Sequence, residues 1–174
     1  VNCTYRNVRG LGVQMTAPGV RVEDSTFDTI TGPGVSITAL CSWGLYFSAR
    51  NGVVRNCRFR NTGGSAIYVR CIPPYAEGNM EASSIQYLRL EGNEMETSGK
   101  PALTLWNCAD VQIIDNRIRR NAPYGPAVSL NKIADIRFED NTFQLPGGGT
   151  PFAFVDSAEE AEMKDINSKE VSYE

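Results

Sequence analysis

The 174-residue chain contains no histidine. Ser-His-Asp and Cys-His catalysis and His-ligated metal chemistry therefore cannot be assembled from its own residues. No stretch approaches the roughly 20 apolar residues of a membrane span, and Val1-Asn2-Cys3-Thr4-Tyr5 lacks the basic and apolar regions of a signal peptide. The chain begins in mid-repeat and shows no N-terminal cap, as expected of a fragment with earlier coils before it. Basic excess is missing too: the net charge is −3, with Lys and Arg dispersed, so nucleic acid is not an expected partner. The five cysteines, Cys3, Cys41, Cys57, Cys71 and Cys108, form an odd set at spacings that match no common zinc pattern. They leave the redox compartment open.

What the sequence does have is a repeat. An apolar, variable, Asn/Asp/Gly, Asn/Cys/Ser, variable, apolar phrase recurs as Val22-Glu23-Asp24-Ser25-Thr26-Phe27 and Val54-Arg55-Asn56-Cys57-Arg58-Phe59. It returns as Leu90-Glu91-Gly92-Asn93-Glu94-Met95, Ile113-Ile114-Asp115-Asn116-Arg117-Ile118 and Phe138-Glu139-Asp140-Asn141-Thr142-Phe143, with a truncated copy at Asn2-Cys3-Thr4-Tyr5. The fourth position falls at Cys3, Ser25, Cys57, Asn93, Asn116 and Asn141, at intervals of 22, 32, 36, 23 and 25 residues. A second apolar strand follows each of the first five: Val13-Gln14-Met15, Val35-Ser36-Ile37, Ile67-Tyr68-Val69, Leu103-Thr104-Leu105 and Val128-Ser129-Leu130.

Units of 22 to 25 residues with short alternating strands and Gly, Asn and Pro turns cannot close a core alone but can stack on copies of themselves. The expected fold is all-β: a single-stranded right-handed parallel β-helix of about six coils over residues 1–155. Its hand follows from the usual crossover rule. Residues 156–174, with the run Ala158-Glu159-Glu160-Ala161-Glu162, are expected to form a C-terminal cap or final irregular coil that covers the strand edges. The corner Asn is expected to take left-handed backbone geometry and to hydrogen-bond the next coil, with Cys3, Ser25 and Cys57 as small fillers of that ladder.

Two coils exceed the base period, and both insert after the second strand, at residues 39–50 and 71–83. Insertions at one corner of adjacent coils wall a groove, and loops on a rigid stack are where binding resides. The candidate substrate-binding residues there are Trp43, Tyr46, Tyr75, Glu77 and Glu81, with Tyr68, Arg70 and Trp106 on neighbouring strand ends. Aromatic faces cover the apolar face of a pyranose, while Arg and carboxylates bond its hydroxyls. The plainer alternative is that Trp43, Phe47 and Trp106 pin the loops to the coil, and that Glu77 and Glu81 are solvated charges. Asp115 and Asp140, or Glu91 and Glu139, could supply the carboxyl pair of a glycosidase, but Asp at that corner is expected to close a turn. A polysaccharide lyase would need a Ca²⁺-binding acidic cluster and a basic proton acceptor; only Arg70 offers the latter. Cys41, Cys71 and Cys108 are expected near one another on successive coils. A Cys41 to Cys71 bridge is possible, and free buried thiols are the favoured reading.

The coils with Pro33-Gly34-Val35, Trp43, Val54 to Phe59, Leu90 to Met95 and Pro101-Ala102-Leu103 resemble the C-terminal coils of glycoside hydrolase family 110. These are right-handed β-helix α-1,3-galactosidases of the pectate-lyase-like solenoid type, and the similarity spans most of residues 18–145. The resemblance implies a bacterial, metal-independent, inverting exo-hydrolase of terminal α-galactosides. The family's adjacent catalytic aspartates have no counterpart here. Where it tends to show Trp, any residue, Glu, this chain reads Trp43-Gly44-Leu45, so no catalytic residue carries over. The expected function is thus the β-helix portion of a secreted, periplasmic or cell-surface glycoside hydrolase-like protein, silent in isolation and needing no cofactor. The alternative is a non-catalytic glycan-binding or structural β-helix module.

Overall fold

A computed structural model describes residues 1–42, 45–46, 49–72, 85–147, 150–155 and 163–173, with the backbone alone for 40–42, 45–46, 72, 154–155 and 163–173. The chain winds as a parallel β-helix. The first coil holds β1 (Thr4–Val8), β2 (Val13–Met15) and β3 (Arg21–Glu23). The second holds β4 (Thr26–Ile30), β5 (Val35–Ser42), the short β6 (Leu45–Tyr46) and β7 (Val53–Arg55), and the third β8 (Arg58–Thr62), β9 (Ile67–Ile72) and β10 (Gln86–Glu91). Beyond them β11 (Glu94–Thr97), β12 (Leu103–Ile114), β13 (Arg117–Arg120) and β14 (Pro126–Leu145) continue the winding. β15 (Thr150–Val155) and β16 (Met163–Tyr173) follow. The longer strands bend around corners and serve two or three faces in turn.

Three faces result. Sheet I stacks β1, β4, β8, β11, β13 and the end of β14. Sheet II stacks β2, β5, β9, the starts of β12 and β14, and β15. Sheet III stacks β3, β7, β10 and the later parts of β12 and β14. All pairings are parallel except the β5–β6 hairpin, which joins Cys41 to Tyr46 and Ser42 to Leu45. β16 pairs in parallel with β14 from Ile136↔Met163 to Leu145↔Tyr173 through several register shifts. Residues 163–173 therefore add an irregular coil to sheets III and I, while 156–162 lie outside the described residues.

Alternation along each strand sends every second side chain inward, and register makes like stack on like. Tyr5, Phe27 and Phe59 stack at 4.8 Å with interplanar angles of 2° and 6°, the separation of neighbouring strands. Met95, Ile118 and Phe143 extend that row. Val22, Val54, Leu90, Ile113 and Phe138 form another, and Val35, Ile67, Leu103 and Val128 a third, all buried. Each such side chain contributes about 1.5–3 kcal/mol by leaving water. Gly34 sits where a Cβ would come within 2.5 Å of the Phe59 ring, so the turn into sheet II can press on the aromatic row only without a side chain.

At the corner from sheet III to sheet I, the side-chain ladder is present. Asn93 accepts from the Cys57 N–H (3.0 Å) and donates to the Val54 carbonyl (3.0 Å) and to Asn116 Oδ1 (2.9 Å). Asn116 accepts from the Asn93 N–H (3.0 Å) and donates to Leu90 O, Ile114 O and Asn141 Oδ1. Asn141 repeats the pattern. Ser25 accepts from the Cys3 N–H, and the Cys57 thiol donates to the Val22 and Arg55 carbonyls. One expectation is corrected. The left-handed residue is not the ladder Asn but the one before it: Asn2, Asp24, Asn56, Gly92, Asp115 and Asp140 have φ of 54°, 52°, 54°, 63°, 53° and 55°. That single αL residue turns the chain and aims the next side chain inward.

Replacing Asn116 by Ala leaves the Asn93 N–H without its acceptor inside the corner and removes the side-chain links to Asn93 and Asn141. At about 1–3 kcal/mol for a buried group left unpaired, with about 1 kcal/mol for each further hydrogen bond lost, a loss of about 3 kcal/mol is expected in urea unfolding. Arg119→Ala, on the exposed side of sheet I, is expected to cost less than about 0.5 kcal/mol.

Candidate functional site

The two inserted segments both connect sheet II to sheet III. Thr38 pairs with Arg70 and Arg70 with Trp106 on sheet II, while Arg50 bridges Gln86 and Gln86 pairs with Ala109 on entry to sheet III. The same passage thus takes residues 39–49 in the second coil, 71–85 in the third, and only 107–108 in the fourth. Both insertions share one corner, as their spacing implied. Trp43, Tyr75, Glu77 and Glu81 fall outside the described residues. For Tyr46 only the backbone, in β6, is described.

The remaining candidates share the outward face of sheet II. One outward row runs Gln14, Ser36, Tyr68, Thr104, Ser129, and the next Thr38, Arg70, Trp106, Asn131. The Arg70 guanidinium carbon lies 4.3 Å from the centroid of the Trp106 ring, a cation–π contact worth about 0.5–1 kcal/mol at an accessible site. Among the described residues, Arg70 Nε and Asn131 Oδ1 are buried without a hydrogen-bond partner. An indole ring is thus flanked by an unspent donor on one coil and an unspent acceptor on the next. Asn131 escaped the sequence reading, although its position 25 residues after Trp106 repeats the Asn116 to Asn141 interval.

The outward faces of sheets I and III carry ion pairs. On sheet I, Glu94 joins Arg58 (2.7 Å) and Arg117 (3.6 Å), Glu96 joins Arg60 (3.9 Å) and Asp28 joins Arg6 (3.7 Å). On sheet III, Glu23 bonds Arg21 (2.8 Å) and Arg55 (3.0 Å), Glu91 bonds Arg89 (2.8 Å), and Glu139 bonds Arg137. The hydrogen bond from Arg21 holds the Glu23 carboxyl below its ordinary range, and Arg89 does the same for Glu91. Glu91 and Glu139 therefore anchor arginines, and Asp115 and Asp140 close left-handed turns. Among the described residues, no three or more Cys, Asp or Glu side chains converge as a metal site, and no helix is long and apolar enough to cross a membrane.

Comparison with known proteins agrees on architecture. No protein-family model matches the chain, and no curated protein sequence does. Among solved structures, the A-module of mannuronan C-5 epimerase AlgE6 from Azotobacter vinelandii matches with a TM-score of 0.59 at 13% identity. The match covers 87% of this chain and 38% of that one. A likeness at this identity shows the shared fold. The family 110 resemblance of the coil motifs finds no counterpart in these comparisons.

The described thiols, Cys3, Cys57, Cys71 and Cys108, are unbridged, and Cys71 pairs across coils with Ala39 rather than Cys41. Burial pushes the Cys57 thiol up to about 11, and burial with the adjacent Cys71 pushes Cys108 higher still. Since the thiolate is the reactive form, a chromogenic disulfide reagent is expected to label Cys3 within minutes in the native protein. Cys57, Cys71 and Cys108 are expected to react only after denaturation. Rapid native labelling of Cys108 would contradict its burial.

Proposed function

We propose that this chain is the β-helix portion of a carbohydrate-active protein and that the outward face of sheet II, beside the two inserted segments, holds a glycan. The observation that carries the reading is the Arg70–Trp106 pair on the outward face of sheet II: a half-buried ring covered on one face by a guanidinium, next to buried polar atoms with no partner of their own. The epimerase module supports it as a carbohydrate-modifying protein on the same fold. Trp106 and Tyr68 supply the aromatic track, Arg70 fixes the plane of Trp106 and bonds the sugar, and Asn131 turns its amide toward a hydroxyl when the ligand binds.

The finer reading is a glycoside hydrolase-like parent, α-galactosidase-like by its coil motifs, working outside the cytoplasm. The carboxyl pairs that a glycosidase could have used are committed, Glu91 and Glu139 to arginines and Asp115 and Asp140 to turns, which supports binding without cleavage by this portion alone.

Calorimetric titration with terminal α-galactosides and with oligouronates tests the reading. Binding to either series is expected, lost in Trp106→Ala and weakened at least about tenfold in Arg70→Ala, with cooperative unfolding retained in both variants. Unchanged affinity in both variants would move the site elsewhere, and no binding to any glycan would leave a structural solenoid.

A further inference from the structure

The corner from sheet II to sheet III carries a second set of groups that the sheet II reading does not use. A row of left-handed residues runs up it: Asn51, Tyr87, Asp110 and Asp135 have φ of 55°, 58°, 52° and 52°. Gly19, at φ 71°, donates its N–H to the Arg50 carbonyl one coil away. Gly, Asn and Asp are the residue types that tolerate this region, whereas a bulky aromatic is an outlier there. Tyr87 is also 56% exposed, so the strain is not compensated by burying the ring. A residue that costs backbone energy and gains little packing points to a use other than folding.

Its surroundings supply one. Tyr87, Asp110 and Asp135 border a surface cavity of about 390 Å³ with Arg89, Gln112 and Arg137, within the size range of small-ligand sites. The two arginines are already bonded to Glu91 and Glu139, while no described ion pair engages Asp110 or Asp135. The cavity therefore offers an aromatic face, an amide and two uncommitted carboxylates. Carboxylates accept hydrogen bonds from sugar hydroxyls or an ammonium group and repel acidic sugars.

We propose that this corner cavity is a second saccharide site that takes an uncharged or amine-bearing sugar ring on Tyr87, with Asp110 and Asp135 accepting its hydroxyl or ammonium hydrogens. It is separate from the sheet II site and does not require it. Tyr87 stands at the start of sheet III in the third coil, 17 residues after Arg70 and one corner away from that residue's place on sheet II.

The test follows backbone amide NMR shifts during titration with a galacto-oligosaccharide, a glucosamine oligomer and oligogalacturonate. Saturable shifts at Tyr87, Asp110 and Asp135 are expected with one or both of the first two and not with the third. Tyr87→Asn is expected to raise the melting temperature, because Asn suits the left-handed region, and to weaken this binding at least about tenfold. Trp106→Ala should leave it within about twofold, which separates this site from the one on sheet II. Shifts with oligogalacturonate alone, no saturable shift with any probe, or full binding by Tyr87→Asn would each overturn the proposal.

Discussion

Coil-to-coil register is the constraint on which the rest of this molecule depends. Parallel backbone bonds fix neighbouring coils at one strand spacing, and every inward side chain must then fit the equivalent side chain above and below. The asparagine corner enforces this most strictly, because Asn93, Asn116 and Asn141 bond one another and the carbonyls of the preceding coil inside the core. The turn from sheet I to sheet II is tied as well, through Gly32 N–H to Gly10 O, Gly64 N–H to Gly32 O and the contact of Gly34 with Phe59. What remains is the passage from sheet II to sheet III, which spans two residues in the fourth coil and many more in the second and third. Loop closure costs little extra with length, so additions collect at the corner where, among the described residues, the side-chain tie between coils is a single amide bond from Asn107 to the Cys71 carbonyl rather than a continuous ladder.

This division explains how much of the protein could be read from its residues. The inward positions repeat because they stack on themselves, so the parallel β-helix, the ladder positions and the shared corner of the insertions were legible as periodicity. The left-handed turn residue was misassigned by one position. An Asn beside an Asp or Gly gives no sign in the sequence of which residue bends the chain and which bonds inward. Tyr87 and Asp135 were invisible for a related reason. At this corner the residue type changes from coil to coil, Asn51, Tyr87, Asp110 and Asp135, so the row is recognised only once Gln86 is known to pair with Ala109 and Ala109 with Ala134.

The outward faces differ in what they leave unspent. On sheets I and III acids and arginines satisfy each other along the stack, each exposed pair adding at most about 1 kcal/mol and screening the surface from charged ligands. Sheet II carries hydroxyls, an amide and the Arg70–Trp106 pair instead, and the adjoining corner keeps two free carboxylates and an exposed ring. The fold shared with the epimerase module is the framework. The unspent groups say where this chain can meet a ligand.

The most direct measurement compares two insertions of the same ten-residue Gly/Ser segment in urea unfolding, one between Asn107 and Cys108 and one between Asp115 and Asn116. If register is clamped at the asparagine corner and free at the other, the first should fold cooperatively with a loss of at most about 2 kcal/mol. The second should fail to fold or lose most of its stability. Equal tolerance of both, or folding of the second and not the first, would contradict the claim that the ladder confines additions to one corner of the stack.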